Sequence, residues 1–166
     1  MLFSQTHVTQ FSKRDEYINA VGGWQSKQSF TLFGTATFKF RNTLKKEEVI
    51  KTCSYFFNTL DRSLYTHKEV LSGKRIERFV YIEGGKDRDN YHMYFFCKGE
   101  TLKQTHSIIK HSSYIWNSKV HKAHDMKILI NEKGEDRSTY GMKEFWQMDD
   151  DNLVVQLCHL KQSKSF

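Results

Sequence analysis

Glu83 and His92 are the residues of this chain best suited to binding a metal ion. They belong to residues 79–96, FVYIEGGKDRDNYHMYFF, where two β-branched and aromatic runs flank a polar turn with glycines, a pattern typical of a β-hairpin. Glu83 ends the first predicted strand, and the returning strand brings His92 beside it, on the face that His92 shares with Tyr94. A carboxylate and an imidazole together suit a Mg²⁺ or Mn²⁺ site rather than a thiolate site. The stretch also fits a half-buried structural strand, so both interpretations stay open.

A tyrosine and a lysine form a second pair with chemical potential. Tyr140 and Lys143 stand three residues apart in residues 138–148, STYGMKEFWQM, which are predicted to form a short helix. This spacing puts both side chains on one face of the helix. Taken alone, such a pair is typical of a solvated helix face, so its meaning depends on the motifs around it.

The elements that position these residues follow the order strand, helix, hairpin, helix, strand, helix, strand. The predicted strands are 29–40, 79–83, 91–97, 120–130 and 152–160; the predicted helices are 44–65, 101–117 and 138–148, preceded by a short helix that Ser12 caps and Gly22 and Gly23 end. This order predicts an α+β fold, with a central antiparallel sheet of about five strands and flanking helices.

The charge of the chain favours a polyanion as its partner. Twenty-six Lys and Arg against 19 Asp and Glu give a net charge of +7 and a pI near 9.3, and the surplus is distributed along the chain. Nucleic acid is the commonest such partner. The candidate DNA-binding residues are hydroxyl groups on one face of strand 29–40 and cations near it or near the hairpin: Thr35, Thr37, Lys39, Arg41, Arg75, Arg78, Lys86 and Arg88. Each cation also fits ordinary surface charge.

Four further histidines lack the spacing of a transition-metal site. His106, His111, His121 and His124 fall on different predicted elements, and we expect them to be solvated surface residues. Three cysteines, at positions 53, 97 and 158, lack any CxxC spacing and are predicted to be reduced core residues.

Length and composition predict one folded domain over residues 1–166, with a frayed tail at 161–166. Aromatic residues make up 14% of the chain, which argues against disorder. No apolar run approaches the roughly 18 residues of a membrane span, and the N-terminus lacks the pattern of a signal peptide. We therefore expect a soluble, intracellular protein that is not secreted.

Three motifs, in their order along the chain, resemble those of the HUH endonuclease superfamily. More narrowly, they resemble the endonuclease domain of rolling-circle replication initiators (Rep proteins) of small phages, plasmids and single-stranded DNA viruses. The motifs are the threonine-containing strand FTLFGTATF (30–38), Glu83 with His92 and Met93, and Tyr140 with Lys143. The resemblance spans about residues 29–146. One departure is Tyr94, which stands where the family has a second His or a Gln.

The resemblance implies a ferredoxin- or RRM-like HUH fold and a metal-assisted reaction. Glu83 and His92 would hold Mg²⁺ or Mn²⁺, with Tyr94 at the position of the remaining motif ligand. Tyr140 would be the nucleophile and Lys143 its basic companion. Attack of Tyr140 on a phosphodiester of single-stranded DNA would leave a 5′-phosphotyrosyl enzyme and a free 3′-hydroxyl group, and the same site could rejoin strands.

The implied partners are single-stranded DNA at a replication origin, which in this family can form a hairpin, and a helicase and polymerase of the host. The implied location is the host cytoplasm or nucleus, away from membranes. Two alternatives remain open. A catalytically inert module of the same architecture that binds single-stranded nucleic acid is favoured by the missing second His. A single-tyrosine transposase is disfavoured by Lys143, because the transposases carry Gln after the tyrosine.

Overall fold

A computed structural model describes residues 5–39, 44–84, 91–131 and 153–161 of the chain. The helices are α1 (Gln5–Ser26), α2 (Lys46–Leu64), α3 (His67–Leu71) and α4 (Leu102–Lys119), and the strands are β1 (Leu32–Phe38), β2 (Glu77–Glu83), β3 (His92–Lys98) and β4 (Ala123–Ile130). None of the described helices is long and apolar enough to cross a membrane. The helix predicted at 138–148 lies outside the described residues.

The four strands form one antiparallel sheet in the order β2-β3-β1-β4. The chain runs β1, α2, β2, β3, α4, β4, with the short α3 between α2 and β2, which is the ferredoxin-like split β-α-β arrangement. The hairpin predicted at 79–96 is confirmed as β2 and β3, which pair from Glu77 with Lys98 to Glu83 with His92. The predicted α+β class and antiparallel sheet are therefore confirmed.

The fifth strand, predicted at residues 152–160, is wrong. This segment makes isolated bridges from Leu153 to Tyr81 and from His159 to Arg78, with a 3₁₀ turn at Val155–Leu157 between them. Val154 and Leu157 are both buried in the main core, whereas Val155 is exposed. Apolar residues three positions apart suit a turn of 3₁₀ helix, since they then share one side.

Helices α2 and α4 cover one face of the sheet and form the main core with it. The amphipathic pattern predicted for α2 is confirmed, because its apolar residues Val49, Cys53, Phe56, Phe57 and Leu60 are all buried. Aromatic rings join the layers. The Phe56 and Trp116 rings lie 5.3 Å apart, and the Phe57 and Phe95 rings 5.6 Å apart, both edge to face. Because α2 and α4 cover this face, α1 and the candidate site lie on the other face of the sheet.

The other face of the sheet carries a second, aromatic cluster: Phe30, Phe33, Phe79, Tyr81, Tyr94 and Phe96. Helix α1 packs against it through Ile18 and Val21, and the Trp24 ring lies 5.1 Å from that of Phe79. The prediction that Gly22 and Gly23 end this helix is wrong, because α1 continues to Ser26. These contacts offset the roughly 1 kcal/mol that each glycine costs inside a helix.

Candidate metal and DNA-binding site

Glu83 and His92 occupy directly opposed positions of the β2–β3 pair. The two side chains therefore leave the same face of the sheet, the one opposite α2 and α4. Glu83 is only 1% exposed, whereas His92 is half-buried. The hairpin thus brings together the carboxylate and the imidazole that the sequence singled out, at the end of the sheet where β2 stops and β3 begins.

Tyr94 lies on the same face as His92, one step further along β3. Its ring centroid is 6.2 Å from that of His92, and it stacks on Phe33 at 6.3 Å with an interplanar angle of 7°. Tyr94 is 7% exposed and belongs to the aromatic cluster. The Tyr94 ring therefore packs mainly against aromatic neighbours, as suits a phenol, whose surface is mostly apolar.

Thr35 and Thr37 extend the site onto β1. Thr37 lies opposite His92, and Thr35 lies opposite Tyr94. Both threonines are half-buried. The same face of β1 also carries Phe33, which is buried in the aromatic cluster, so only part of the face offers hydroxyl groups.

A histidine that the sequence analysis assigned to the solvated surface joins this row. His124 on β4 places its Nδ1 3.1 Å from Oγ1 of Thr37, and the backbone N–H of Asp125 donates to the same oxygen at 3.2 Å. The signal in the sequence is weak, because only the pairing of β1 with β4 brings His124 to Thr37.

Arg78, predicted to bind DNA, is instead part of a buried ion pair. Its Nη1 lies 3.1 and 3.0 Å from the two carboxylate oxygens of Asp61, and its Nε donates to the carbonyl of Leu157 at 2.9 Å. The guanidinium group also lies 4.7 Å from the centre of the Phe57 ring. Arg78 is one residue out of phase with the alternation that places Glu83 on the site face, so it points to the helix layer. The role of Arg78 in binding DNA therefore stays a prediction, and its observed contacts are structural ones.

Arg75 also belongs to this ion-pair network. Its Nε lies 3.5 Å from Asp61 Oδ2, and its Nη1 donates to the carbonyl of Val70 at 2.7 Å. Lys39 is different, because it lies exposed just after β1. The other predicted DNA-binding residues, Arg41, Lys86 and Arg88, lie outside the described residues, as do Tyr140 and Lys143.

The cysteines are unsuited to thiolate chemistry. Cys53 and Cys97 are buried, and all three cysteines are free thiols. Burial raises the pKa of Cys97 to about 12 and that of Cys158 to about 11, so both thiols stay protonated at neutral pH. The candidate ligands Glu83 and His92 instead offer an oxygen and a nitrogen donor.

The described residues supply two donors to a metal ion, the carboxylate of Glu83 and the imidazole of His92. They contain no group of three or more His, Cys, Asp and Glu residues close enough to share an ion. A buried carboxylate beside an imidazole nevertheless fits a divalent cation that keeps open positions for water or a phosphate oxygen. No protein-family model, curated protein or solved structure matches this chain, so its function is argued from these residues.

Proposed function

We propose that this chain is an HUH-type endonuclease that initiates rolling-circle replication by nicking and rejoining single-stranded DNA. The observation that carries the proposal is the direct opposition of Glu83 and His92 on one face of a ferredoxin-like sheet. The threonines of β1 add hydroxyl groups to the same face. The threonine-bearing strand and the opposed pair support the proposal through the first two motifs, while the third motif, Tyr140 with Lys143, lies outside the described residues.

Each residue of the site has a distinct part in this reaction. Glu83 and His92 would hold Mg²⁺ or Mn²⁺, which when bound withdraws charge from a non-bridging oxygen of the scissile phosphate. Thr35 and Thr37 would contact the DNA backbone and orient it. Lys143 would have one of two roles: it would favour the phenolate form of Tyr140, because a neighbouring positive charge lowers the pKa of a phenol, or it would stabilise charge on the phosphate in the transition state.

The phenolate oxygen of Tyr140 then forms a bond to phosphorus while the bond from phosphorus to the 3′ oxygen breaks. The leaving oxygen takes up a proton and becomes the free 3′-hydroxyl group, which a polymerase can extend. The 5′ end stays linked to Tyr140 as a phosphodiester. Attack by another 3′-hydroxyl group on this linkage releases Tyr140 and joins the strands.

The inert binding module is less well supported by the described residues. Such a module would stack bases on exposed aromatic side chains of the sheet. The aromatic residues of the sheet face are buried, with Phe33 4%, Tyr94 7% and Phe96 1% exposed. A single-tyrosine transposase would share Glu83 and His92 and would differ at the position of Lys143, where the transposases carry Gln.

Covalent capture of DNA tests the proposal. The protein is incubated with a pool of random-sequence single-stranded DNA and Mn²⁺, and adducts are separated on a denaturing gel and mapped by mass spectrometry. We expect an adduct on Tyr140 that a chelator abolishes and that the variant Tyr140→Phe lacks. Salt-sensitive DNA binding without any adduct in the whole pool would instead support the inert module.

A further inference from the structure

Strand β4 contains a bulge directly beside the candidate site. Ala123 pairs with Phe38 and Met126 pairs with Ala36, so two residues of β4, His124 and Asp125, lie opposite one residue of β1. Ala123 and Met126 both pack against the main core on the helix side. The extra residue therefore places His124 and Asp125 opposite Thr37, and such bulges commonly re-aim a side chain beside a site.

The hydroxyl group of Thr37 holds this bulge in place. It accepts the N–H of Asp125 and contacts Nδ1 of His124, at the distances given above. When Thr37 donates to Nδ1, the neutral imidazole carries its proton on Nε2. His124 is exposed, and its Nε2 has no hydrogen-bond partner in the part of the chain that the structure describes. One ring nitrogen is thus anchored, and the other is available to a ligand.

His124 belongs to the same row as the metal pair, which runs across the sheet from Glu83 through His92 and Thr37. Adjacent strands are about 4.8 Å apart, so the backbones of His124 and His92 are separated by roughly 10 Å. The described residues contain no group of three or more His, Cys, Asp and Glu that could hold one ion, so we do not count His124 with Glu83 and His92 as a metal ligand. The position suits a group of the substrate next to the one that the metal binds.

Lys127 supplies a cation to the same edge. It pairs with Thr35 on β1, is exposed, and makes no ion pair with any described residue. Thr37, His124 and Lys127 together form what we call the β4 strip. The imidazole N–H and the ammonium group are both donors to phosphate oxygens, whereas the one proton of the Thr37 hydroxyl group is donated to His124 and orients its ring. The exposed carboxylate of Asp125 lies beside them and opposes an anion.

We propose that the β4 strip binds a phosphate of the DNA strand adjacent to the phosphate that is cut. The proposal deepens the proposed function and rests on it for the identity of the DNA. It assigns His124 and Lys127 to substrate positioning. The DNA strand would run across β1 towards the exposed edge of β4. The metal-binding pair, Glu83 and His92, and the β4 strip would then hold successive phosphates of one DNA strand.

Binding without chemistry tests the strip separately from the nuclease. The probe is a fluorescein-labelled, mixed-sequence single-stranded oligonucleotide. Its fluorescence anisotropy is recorded with EDTA present, over a range of salt concentrations. All variants, and the parent, carry Tyr140→Phe so that no covalent adduct forms. The double variant His124→Ala/Lys127→Ala should bind about tenfold more weakly. Its slope of log K against log salt should become shallower by about 0.7 for each phosphate that the variant no longer neutralises. The variant Asp125→Asn should bind more tightly, because it removes the opposing carboxylate.

The matched control is His106→Ala/Lys110→Ala, which removes the same residue types from the outer side of α4. We expect this control to retain most of the affinity, and thermal unfolding would verify that both double variants are folded. Equal losses of affinity in the two double variants would reduce the strip to part of the general positive field and overturn the proposal. No DNA binding by the parent, or no gain in Asp125→Asn, would also overturn it. Absence of a Tyr140 adduct would overturn only the nuclease.

Discussion

Glu83 and His92 occupy directly opposed positions on two antiparallel strands, so their side chains leave the same face of the sheet, and Glu83 is almost wholly buried. This relationship is the geometric basis of the proposed metal site. A carboxylate held at such a position is preorganised, because the sheet fixes its backbone and burial restricts its side chain. Its removal should therefore affect the reaction far more than the fold.

We predict that Glu83→Gln lowers Mn²⁺-dependent formation of the Tyr140 adduct by about 100-fold or more, since metal assistance supplies several kcal/mol to such a step. Glutamine keeps the shape of the side chain and removes its charge. The measurement is the rate of adduct formation, together with Mn²⁺ binding by calorimetry. Glu77→Gln, at the opposite end of the same face of β2, is the matched control. Equal effects of the two substitutions would contradict the assignment.

Arg78 should contribute to stability rather than to DNA binding. Its replacement by alanine leaves the buried Asp61 carboxylate without its main cationic partner, so the free energy of unfolding should fall by about 3–5 kcal/mol. Arg75→Ala, which removes a longer and more exposed contact to the same carboxylate, should cost less than about 1 kcal/mol. Urea unfolding followed by tryptophan fluorescence measures both. Weaker DNA binding by Arg78→Ala at unchanged stability would instead support a role for Arg78 in binding DNA.

Two glycines should respond to alanine in opposite directions. A Cβ atom on Gly34 would lie 2.1 Å from Cζ of Phe95, whose ring is buried, so Gly34→Ala should lower the free energy of unfolding by about 1–3 kcal/mol. Gly23 lies in α1 with nothing within 4 Å of such an atom, so Gly23→Ala should raise it by up to about 1 kcal/mol. Chemical denaturation checks both values, and Phe95→Leu should partly rescue Gly34→Ala.

His159 should make stability depend on pH below neutrality. Burial, and then the nearby positive charge of Arg78, lower the pKa of His159 below its ordinary value of 6.5. The unfolded chain therefore takes up this proton at a higher pH than the folded protein does. This histidine leaves the free energy of unfolding unchanged well above pH 6.5. The free energy of unfolding then falls as the pH drops from the pKa of the unfolded chain to the lower pKa of the folded protein.

The variant His159→Gln should accordingly lose less stability than the parent between about pH 7.5 and 5.5. Thermal unfolding at several pH values measures the difference, with His106→Gln on the exposed side of α4 as the control for loss of an imidazole. The same pH dependence in His159→Gln and in the parent would show that protonation of His159 does not control this transition.

Part of the site could be predicted from the sequence because strand alternation is local. The hairpin turn and the alternation of aromatic residues were sufficient to pair Glu83 with His92. The same rule, applied to Arg78, places it on the opposite face from Glu83, five residues away. The assignment of Arg78 to DNA considered the charge of the side chain without its phase in the strand, and the structure shows it paired with Asp61 on the helix side. Tyr140 and Lys143 stay predictions, since they lie outside the described residues.

The sequence by itself determined the order of the core strands and helices, since apolar periods of two and about 3.6 residues are written in short stretches of chain. Only the tertiary structure decided the contacts that depend on partners far apart in the chain. The bulge that brings His124 to Thr37 exists because β4 pairs with β1 in one register. Likewise, α1 continues past Gly22 and Gly23 because Trp24 and Gln25 meet Phe79 and Tyr81 on the sheet. Packing between distant segments outweighed local propensity at both places.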